Sequence, residues 1–305
     1  MKFGLFEHMD DSGVPLGRQF ESRLSLLEAC DRYGFYAYHL AEHHGTPLGL
    51  APSPGLFLAA VAQRTKRLRF GPLAYSLPLY HPIRLIEEIC MLDQMSGGRF
   101  ELGVGRGVSP FEVGFFGVNP ADGSRQFPEA LRLIKQGLTS DELSFSGEFY
   151  NFHKVPMVLK PVQRPYPPLW YGVVATEGAY WAAVEKAHIF TLVPPDPAKA
   201  IINKYTVEWK KLGKRQRSAA DGNLPPRGAR RNDRRGGCDR RARLSALAHA
   251  HGTPVGAQWQ QAAAWASSGD RVLVCCASGL CRHRERFQEF LAGSNSLYRR
   301  QLFCL

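Results

Sequence analysis

Two adjacent histidines, His43 and His44, follow a short apolar run at residues 37–41 and stand directly after Glu42. An imidazole beside a cofactor can accept or donate a proton near neutral pH, and an ordinary polar loop pair is the alternative. Because successive side chains at a strand end point in opposite directions, we expect one ring to face a site and the other to face outward. No third ligand lies at a useful spacing, so a metal site is disfavoured.

A second candidate group is Arg106, which stands between two glycines in the segment Gly103-Val104-Gly105-Arg106-Gly107-Val108. Glycines let backbone amides approach a ligand closely, and a guanidinium offers a forked pair of donors that suits a phosphate. The spacing matches neither a dinucleotide-binding fingerprint nor a Walker loop, so the pattern alone is weak. Glu112 follows just beyond, either as a carboxylate at the rim of a site or as a solvated side chain.

Two further loops contain candidate groups. Residues 77–82 place two prolines around His81, which predicts a stiff, bent segment, with a purely structural turn as the alternative. Residues 172–179 run from an apolar stretch through Thr176 into an amphipathic segment. Small residues and a hydroxyl at a helix start form a ready anion site, although a simple N-cap at Thr176 is the commoner arrangement.

Apolar patterning places these loops between strands and helices that alternate along residues 1–212. The predicted strands cover residues 2–6, 37–41, 68–74, 100–104, 169–174 and 189–193. The predicted helices cover residues 18–33, 55–65, 83–95, 128–137, 178–187 and 197–212. Gly34 is expected to end the first helix, Ser124 to cap the fourth, and residues 141–168 to form a small hairpin inserted in a loop.

Six strand–helix units in chain order predict an α/β protein with a parallel sheet. The number of units favours a (β/α)8 TIM barrel over an open doubly wound sheet, with the C-terminal strands atypical or incomplete. In such barrels the functional groups lie on loops at the C-terminal ends of the strands, which is where the four candidate loops fall.

The charge of the chain is distributed unevenly. The 305 residues are 44% apolar and 22% charged, as in globular proteins, and have a formal net charge of +12. Residues 1–212 hold 22 basic and 21 acidic side chains, whereas residues 213–305 hold 17 basic and 6 acidic ones. The basic excess therefore belongs to the second segment and says little about partners of the first.

Residues 213–305 need an explanation of their own. Residues 213–243 contain 11 bases and 3 acids and are predicted to be disordered, with a helix at 257–267, a strand at 271–276 and a helix at 283–292 beyond them. Lys214 is the only lysine among these bases, and five of the seven cysteines lie here. We expect that residues 213 to about 250, and again the last residues, were translated from a shifted frame of a GC-rich gene. A genuine arginine-rich arm for nucleic acid is the rival interpretation.

Other signals concern the compartment. No run of about 18 apolar residues occurs, so no membrane span is expected, and Glu7 comes too early for a secretory signal. The seven cysteines show no paired metal spacing, which predicts the reducing cytoplasm.

Several short motifs in residues 1–212 occur in the order and spacing of a known family. They are Lys2-Phe3-Gly4, Glu42-His43-His44, Leu77-Pro78 with His81-Pro82, Leu92-Asp93-Gln94-Met95-Ser96-Gly97-Gly98-Arg99-Phe100, Gly105-Arg106-Gly107 and Phe152-His153-Lys154-Val155. On these motifs the chain resembles the bacterial luciferase-like flavin monooxygenases, which are TIM-barrel proteins. The resemblance implies reduced FMN as cofactor, dioxygen as co-substrate, a small apolar organic substrate, a separate flavin reductase and a homodimer.

The resemblance also implies roles for individual residues. His43, which would manage protons near the flavin, and Glu112 are the implied catalytic residues. The implied flavin contacts are Ala74, Tyr75, Gly105, Arg106, Val108, Ala175, Thr176 and Ala179. The implied lining of the substrate pocket is Phe6, His44, His81 and Phe111. Residues 73–76 are expected under the flavin ring, where the family often has a non-proline cis peptide.

Two positions depart from the family pattern. Gly105 stands where luciferase α-subunits have a reactive cysteine, so the chain is not a light-emitting luciferase in detail. Ala175 follows Val174 where many members have a serine, so one phosphate contact has moved to Thr176 or been lost.

Three alternatives stay open at this point. A deazaflavin (coenzyme F420)-dependent oxidoreductase on the same fold would transfer hydride and would not activate oxygen. A non-catalytic relative would bind flavin without turnover. A nucleic-acid binder would use the arginines of residues 213–243, but no aromatic residues interleave them, which disfavours stacking on single strands.

Overall fold

The computed structural model describes residues 4–221. The elements predicted at 257–267, 271–276 and 283–292 lie outside the described residues, and so does the part of the chain where atypical or incomplete C-terminal strands were expected. The chain divides into two compact units. The first contains the described residues up to Gly172 together with Ala187–Phe190, and the second contains Val173–Lys186 and the described residues from Thr191 onward.

Strands and helices alternate along the described chain. The strands are β1 (Gly4–Glu7), β2 (Ala37–Leu40), β3 (Arg69–Pro72), β4 (Tyr75–Ser76), β5 (Leu102–Gly105), β6 (Glu142–Ser146), β7 (Asn151–Pro156), β8 (Leu169–Gly172) and β9 (His188–Phe190). The helices are α1 (Leu16–Arg32), α2 (Pro54–Arg64), α3 (Pro82–Ser96), α4 (Pro110–Phe115), α5 (Gly123–Thr139), α6 (Thr176–Val184) and α7 (Pro195–Asp221).

The strands of the first unit pair in chain order. β1, β2 and β3 form one parallel sheet, and β4, β5, β8 and β9 form a second. A parallel bridge between Phe70 and Phe100 connects the two. Neighbours in space are therefore neighbours along the chain, apart from the inserted β6–β7 pair. This is the order of a barrel wall and not the reversed order of a doubly wound sheet, so the predicted parallel α/β fold is confirmed.

The inserted pair β6–β7 is the hairpin predicted within residues 141–168. Its strands are antiparallel. The carboxylate of Glu129, on α5, accepts hydrogen bonds from the backbone N–H groups of Glu148, Phe149 and Tyr150, all at 2.9–3.0 Å. One buried acid thus satisfies the donors of the hairpin turn and fixes the hairpin to the helix that precedes it.

The motif at residues 92–100 has a structural role. Gly97 ends α3 in the left-handed conformation, with φ of 63°. The Arg99 guanidinium donates to the carbonyl oxygens of Ala62, Thr65 and Leu68 at 2.7–3.1 Å. It therefore satisfies acceptors at the C-terminal end of α2 and in the loop before β3. The motif ties two helix ends to the start of β5.

A buried ionic group lies near the N-terminal ends of the strands. Glu101 accepts hydrogen bonds from His39 at 3.1 Å, Arg69 at 2.6 Å and the Tyr36 hydroxyl at 3.2 Å. Burial alone would raise the pKa of Glu101, but the hydrogen bond and charge of His39, and those of Arg69, lower it to about 2. This end of a barrel serves stability, because the functional loops lie at the opposite end.

Four details differ from the sequence-based expectations. Helix α5 begins at Gly123, so Ser124 is not its N-cap, and Pro128 lies within it at the loss of one backbone hydrogen bond. Ala175, not Thr176, is the N-cap of α6. Helix α4 was not predicted because six residues show no clear period. Helix α7 continues to Asp221, so predicted disorder is wrong for residues 213–221, where lysine, arginine, glutamine and alanine favour helix.

The second unit contains α6 and α7. Small residues of α6 and larger apolar residues of α7 are buried, namely Ala179, Ala182, Ala183, Ile201 and Tyr205. Among the helices within residues 4–221, none combines the length and the apolar character that crossing a bilayer requires.

Candidate active site

His43 and Glu112 form a hydrogen-bonded pair at the C-terminal ends of the strands. His43 lies three residues after β2, and Glu112 lies in α4, which follows β5. Glu112 Oε1 is 3.2 Å from His43 Nδ1, and Oε2 accepts the backbone N–H of His44 at 2.9 Å. The Ser109 hydroxyl caps α4 by accepting a hydrogen bond from the Glu112 backbone N–H at 3.3 Å. This bond fixes the backbone position from which the Glu112 side chain extends. Within residues 4–221, His43 Nε2 has no hydrogen-bond partner.

The second histidine has a carboxylate partner of its own. His44 Nε2 is 3.1 Å from Glu42 Oε1, and the Glu42 side chain is fully buried. The other Glu42 oxygen accepts the Tyr80 hydroxyl at 2.7 Å and the Ser76 backbone N–H at 3.4 Å. The expectation that one ring faces outward is therefore wrong for His44, because a buried acid holds it.

A third histidine, His8, joins the site from the end of β1. Its ring lies edge-on to His43, with 5.4 Å between ring centroids, and 5.0 Å from the ring of Phe6. Phe6 also contacts Phe190, with the centroids 5.6 Å apart. Burial lowers the pKa of His8, the charge of His43 lowers it further, and Asp10 opposes both. Sequence analysis missed His8, because a lone histidine after a strand belongs to no motif.

The segment between β3 and β4 has the cis peptide implied by the resemblance. The bond is between Leu73 and Ala74. Ala74 lies beside Gly105, since a β-carbon built on Gly105 would stand 3.4 Å from the Ala74 β-carbon. The Tyr75 side chain is fully buried and its hydroxyl donates to Glu88. Tyr75 can therefore reach a ligand only through its backbone.

Arg106 lies on the loop after β5. Its aliphatic stem rests against Gly123, where an added β-carbon would be 3.2 Å from Arg106 Cγ, and its charge acts on the Tyr171 hydroxyl of β8. Gly107 has φ of 87°, and a side chain there would meet Val113 at 3.0 Å. No carboxylate among the described residues pairs with Arg106, whose side chain is exposed. An exposed arginine on a glycine loop is suited to an anion.

Helix α4 presents an apolar face beside the His43–Glu112 pair. Phe111 is 76% exposed and Val108, just before the helix, is 85% exposed. Phe115 covers Gly45, and the ring centroids of Phe116 and His44 are 4.6 Å apart. The acid and this aromatic surface therefore belong to one short element.

The remaining predicted site residues lie elsewhere. Ala175, Thr176 and Ala179 belong to the second unit, where the Thr176 hydroxyl is 3.4 Å from Glu177. His81 is exposed at the N-terminus of α3 and lies against Phe152 of the hairpin, with 5.7 Å between centroids. None of the described contacts connects His81 with His43 or Glu112.

The groups of the first unit fit a flavin mononucleotide by their chemistry. An exposed arginine and the neighbouring backbone amides suit its phosphate, and Ala74 lies beside Gly105 at the end of β5. His43 Nε2 is available for a proton. Within residues 4–221, no three histidine, cysteine, aspartate or glutamate side chains are grouped so as to hold a metal ion.

Comparison with known proteins gives a consistent assignment. The family model described as luciferase-like monooxygenase matches residues 1–226. The uncharacterized protein y4wF of Sinorhizobium fredii is 47% identical over 208 residues, which are 68% of this chain and 61% of that protein. The 4-hydroxyprotoasukamycin monooxygenase of Streptomyces nodosus is 37% identical over 66% of this chain and 54% of its own. The oxygenase component of the flavin-dependent trigonelline monooxygenase of Acinetobacter baylyi is 33% identical, over 56% and 48%.

Solved structures agree on the fold. The monooxygenase RslO1 of Streptomyces bottropensis superposes with a TM-score of 0.66 at 27% identity, covering 70% of this chain and 67% of that one. The oxygenating constituent of 3,6-diketocamphane monooxygenase of Pseudomonas putida, solved with FMN, gives 0.63 at 22% identity, covering 70% and 63%, a likeness of fold. The matches span 48–61% of the three curated relatives. The chain belongs to the luciferase-like monooxygenase family.

Proposed function

We propose that the protein is a flavin-dependent monooxygenase that uses reduced FMN and dioxygen to oxygenate a small apolar organic substrate. The observation that supports this most directly is the His43–Glu112 pair, 3.2 Å apart, at the strand ends that also present the unpaired Arg106. His43 would then be the proton-transfer group on the loop after β2 and Arg106 the anion-binding group on the loop after β5, which is compatible with a bound flavin phosphate and a reacting flavin ring.

The cofactor would be held through its phosphate and its ring. Arg106 and the backbone amides of Gly107 and Val108 would bind the phosphate. Ala74 and the backbones of Tyr75 and Gly105 would contact the ring. When bound, reduced FMN would supply the two electrons that activate dioxygen.

His43 would transfer the proton at its Nε2 atom. A carboxylate only accepts hydrogen bonds, so Glu112 fixes the ring hydrogen on Nδ1 and leaves Nε2 of the neutral ring as an acceptor. Glu112 also holds the His44 backbone N–H at 2.9 Å, so the ring and the loop are oriented together. Both side chains are largely buried, at 14% and 18% exposure, which limits competition from water.

The substrate would lie against aromatic side chains. Phe6 contacts His8, Phe111 is exposed next to Glu112 on α4, and His44 and Phe116 contact each other. These groups suit an aliphatic or aromatic molecule. His81, exposed on α3, has weaker support as a lining residue.

The oxygenase would work with further partners. The trigonelline relative is named as an oxygenase component, which favours a separate reductase that delivers reduced flavin. We further propose a homodimer in the cytoplasm, in line with the family resemblance and the pattern of cysteines.

The direct test is the reaction of reduced FMN with oxygen. Reduced FMN would be mixed anaerobically with excess protein and then with oxygenated buffer, and its reoxidation followed by absorbance. We expect kinetics different from free FMN, and the loss of that difference in His43→Ala despite unchanged flavin binding. Unchanged kinetics together with anaerobic hydride transfer to coenzyme F420 would assign the alternative activity.

A further inference from the structure

We propose that His8 is a positioning residue for His43, in which the His8 ring fixes the plane of the His43 ring and the protonation of either imidazole opposes that of the other. For its catalytic consequence the inference rests on the proposed function. The pair itself is a property of the folded chain and can be measured without flavin.

The geometry holds the His43 ring from two directions. Glu112 contacts Nδ1 in the ring plane at 3.2 Å, whereas His8 lies edge-on, with an interplanar angle of 85° and 5.4 Å between centroids. Phe6 supports the other side of His8 in the same edge-on manner, at 5.0 Å and 85°. A row of three aromatic rings thus connects β1 to the loop after β2, and rotation of the His43 ring would break both contacts.

The two imidazoles are close enough for their charges to interact. Two positive charges at this separation in a partly buried place disfavour each other, and such sites titrate as a coupled pair. The groups whose charges act on His8 are His43, from the loop after β2, and Asp10, from its own segment. His43 lowers the pKa of His8 after burial, and Asp10 raises it.

Burial and the charge of His43 both favour the neutral form of His8. A neutral His8 ring packs edge-on against His43 and adds no positive charge beside that proton-transfer group. Any change that protonates His8 would make protonation of its neighbour less favourable, because coupling between two sites is reciprocal.

The test is an NMR titration of the full chain without flavin. Histidines would be labelled with ¹³C, and the His8 Cε1–H signal, identified by its loss in His8→Phe, would be followed with pH. In His43→Gln we expect the His8 midpoint to rise by about half a pH unit or more, because a like charge is removed. Asp10→Asn is the matched control of opposite sign, and the midpoint should fall. An unchanged midpoint in His43→Gln would overturn the proposal.

Two substitutions at His8 separate positioning from mere packing. His8→Phe keeps an edge-on ring but cannot be charged, so the acid limb of the pH profile of FMN reoxidation should move while the rate above it is retained. His8→Ala removes the ring and should lower the rate at every pH. Equal rate losses in both variants at all pH values would indicate packing only and contradict the proposal. Coupled titration in a chain without oxygen chemistry would reject the proposed function and leave the pair intact.

Discussion

Glu112 holds His43 and His44 at once, with Oε1 3.2 Å from the His43 ring and Oε2 2.9 Å from the His44 amide nitrogen. His43 and Glu112 are 69 residues apart in the chain. One side chain on α4 therefore sets both the tautomer of the imidazole and the path of the loop after β2.

Removing this carboxylate should impair the oxygen reaction more than flavin binding. In Glu112→Ala the His43 Nδ1–H and the His44 N–H both lose their acceptor, so we expect the rate at which bound reduced FMN reacts with oxygen to change about tenfold to hundredfold, toward that of free FMN. Stopped-flow absorbance with reduced FMN measures the rate, and fluorescence titration measures affinity. Glu142→Ala, at an exposed position of β6, is the control. A rate equal to that of the control would contradict the role of Glu112.

Replacing His43 should remove turnover while the flavin still binds. Loss of a proton-transfer group typically costs about 10² to 10⁴ in rate, and His43→Ala should fall in that range. His153→Ala changes an exposed histidine on β7 and should behave as the wild type. Retained turnover in His43→Ala would rule out proton transfer by this residue.

Replacing Arg106 should weaken the binding of FMN and leave the binding of riboflavin unchanged. A hydrogen bond to a charged group contributes roughly 1.5–3 kcal/mol, so Arg106→Ala should weaken FMN binding about tenfold to hundredfold. Riboflavin lacks the phosphate, and its affinity should not change. Arg132→Ala, an exposed arginine on α5, controls for the loss of one positive charge. Equal weakening of both flavins would place Arg106 away from the phosphate.

The buried acid Glu101 predicts a loss of stability at low pH. Its folded pKa of about 2 lies below the ordinary value of 4.5, so its contribution is full above pH 4.5 and is lost as the pH falls toward 2. Glu101→Gln leaves the buried His39 and the partly buried Arg69 without their acid and should destabilise the fold by roughly 3–5 kcal/mol at neutral pH. Urea unfolding at several pH values measures this, and a variant with unchanged acid sensitivity would refute it.

The sequence predicted the alternation of strands and helices well because apolar period and glycine or proline punctuation are local signals. It could not pair Glu112 with His43, since that contact depends on a helix too short to show a period. It also missed His8, whose importance comes from the ring it faces. Disorder was predicted for residues 213–221 because the segment is basic and has little periodic apolar content, whereas the helix propensity of lysine, arginine and alanine prevails there.

Helix α4 carries an acid held by hydrogen bonds and, beside it, an exposed aromatic side chain. Glu112 is held inward by His43 and by the Ser109 cap, whereas Phe111, one position earlier, is largely exposed. We therefore expect substitutions at Phe111 to alter the surface that a substrate would meet and to leave the contact between Glu112 and His43 in place. Because one helix of six residues carries both features, α4 is the segment that we would randomise when engineering new selectivity.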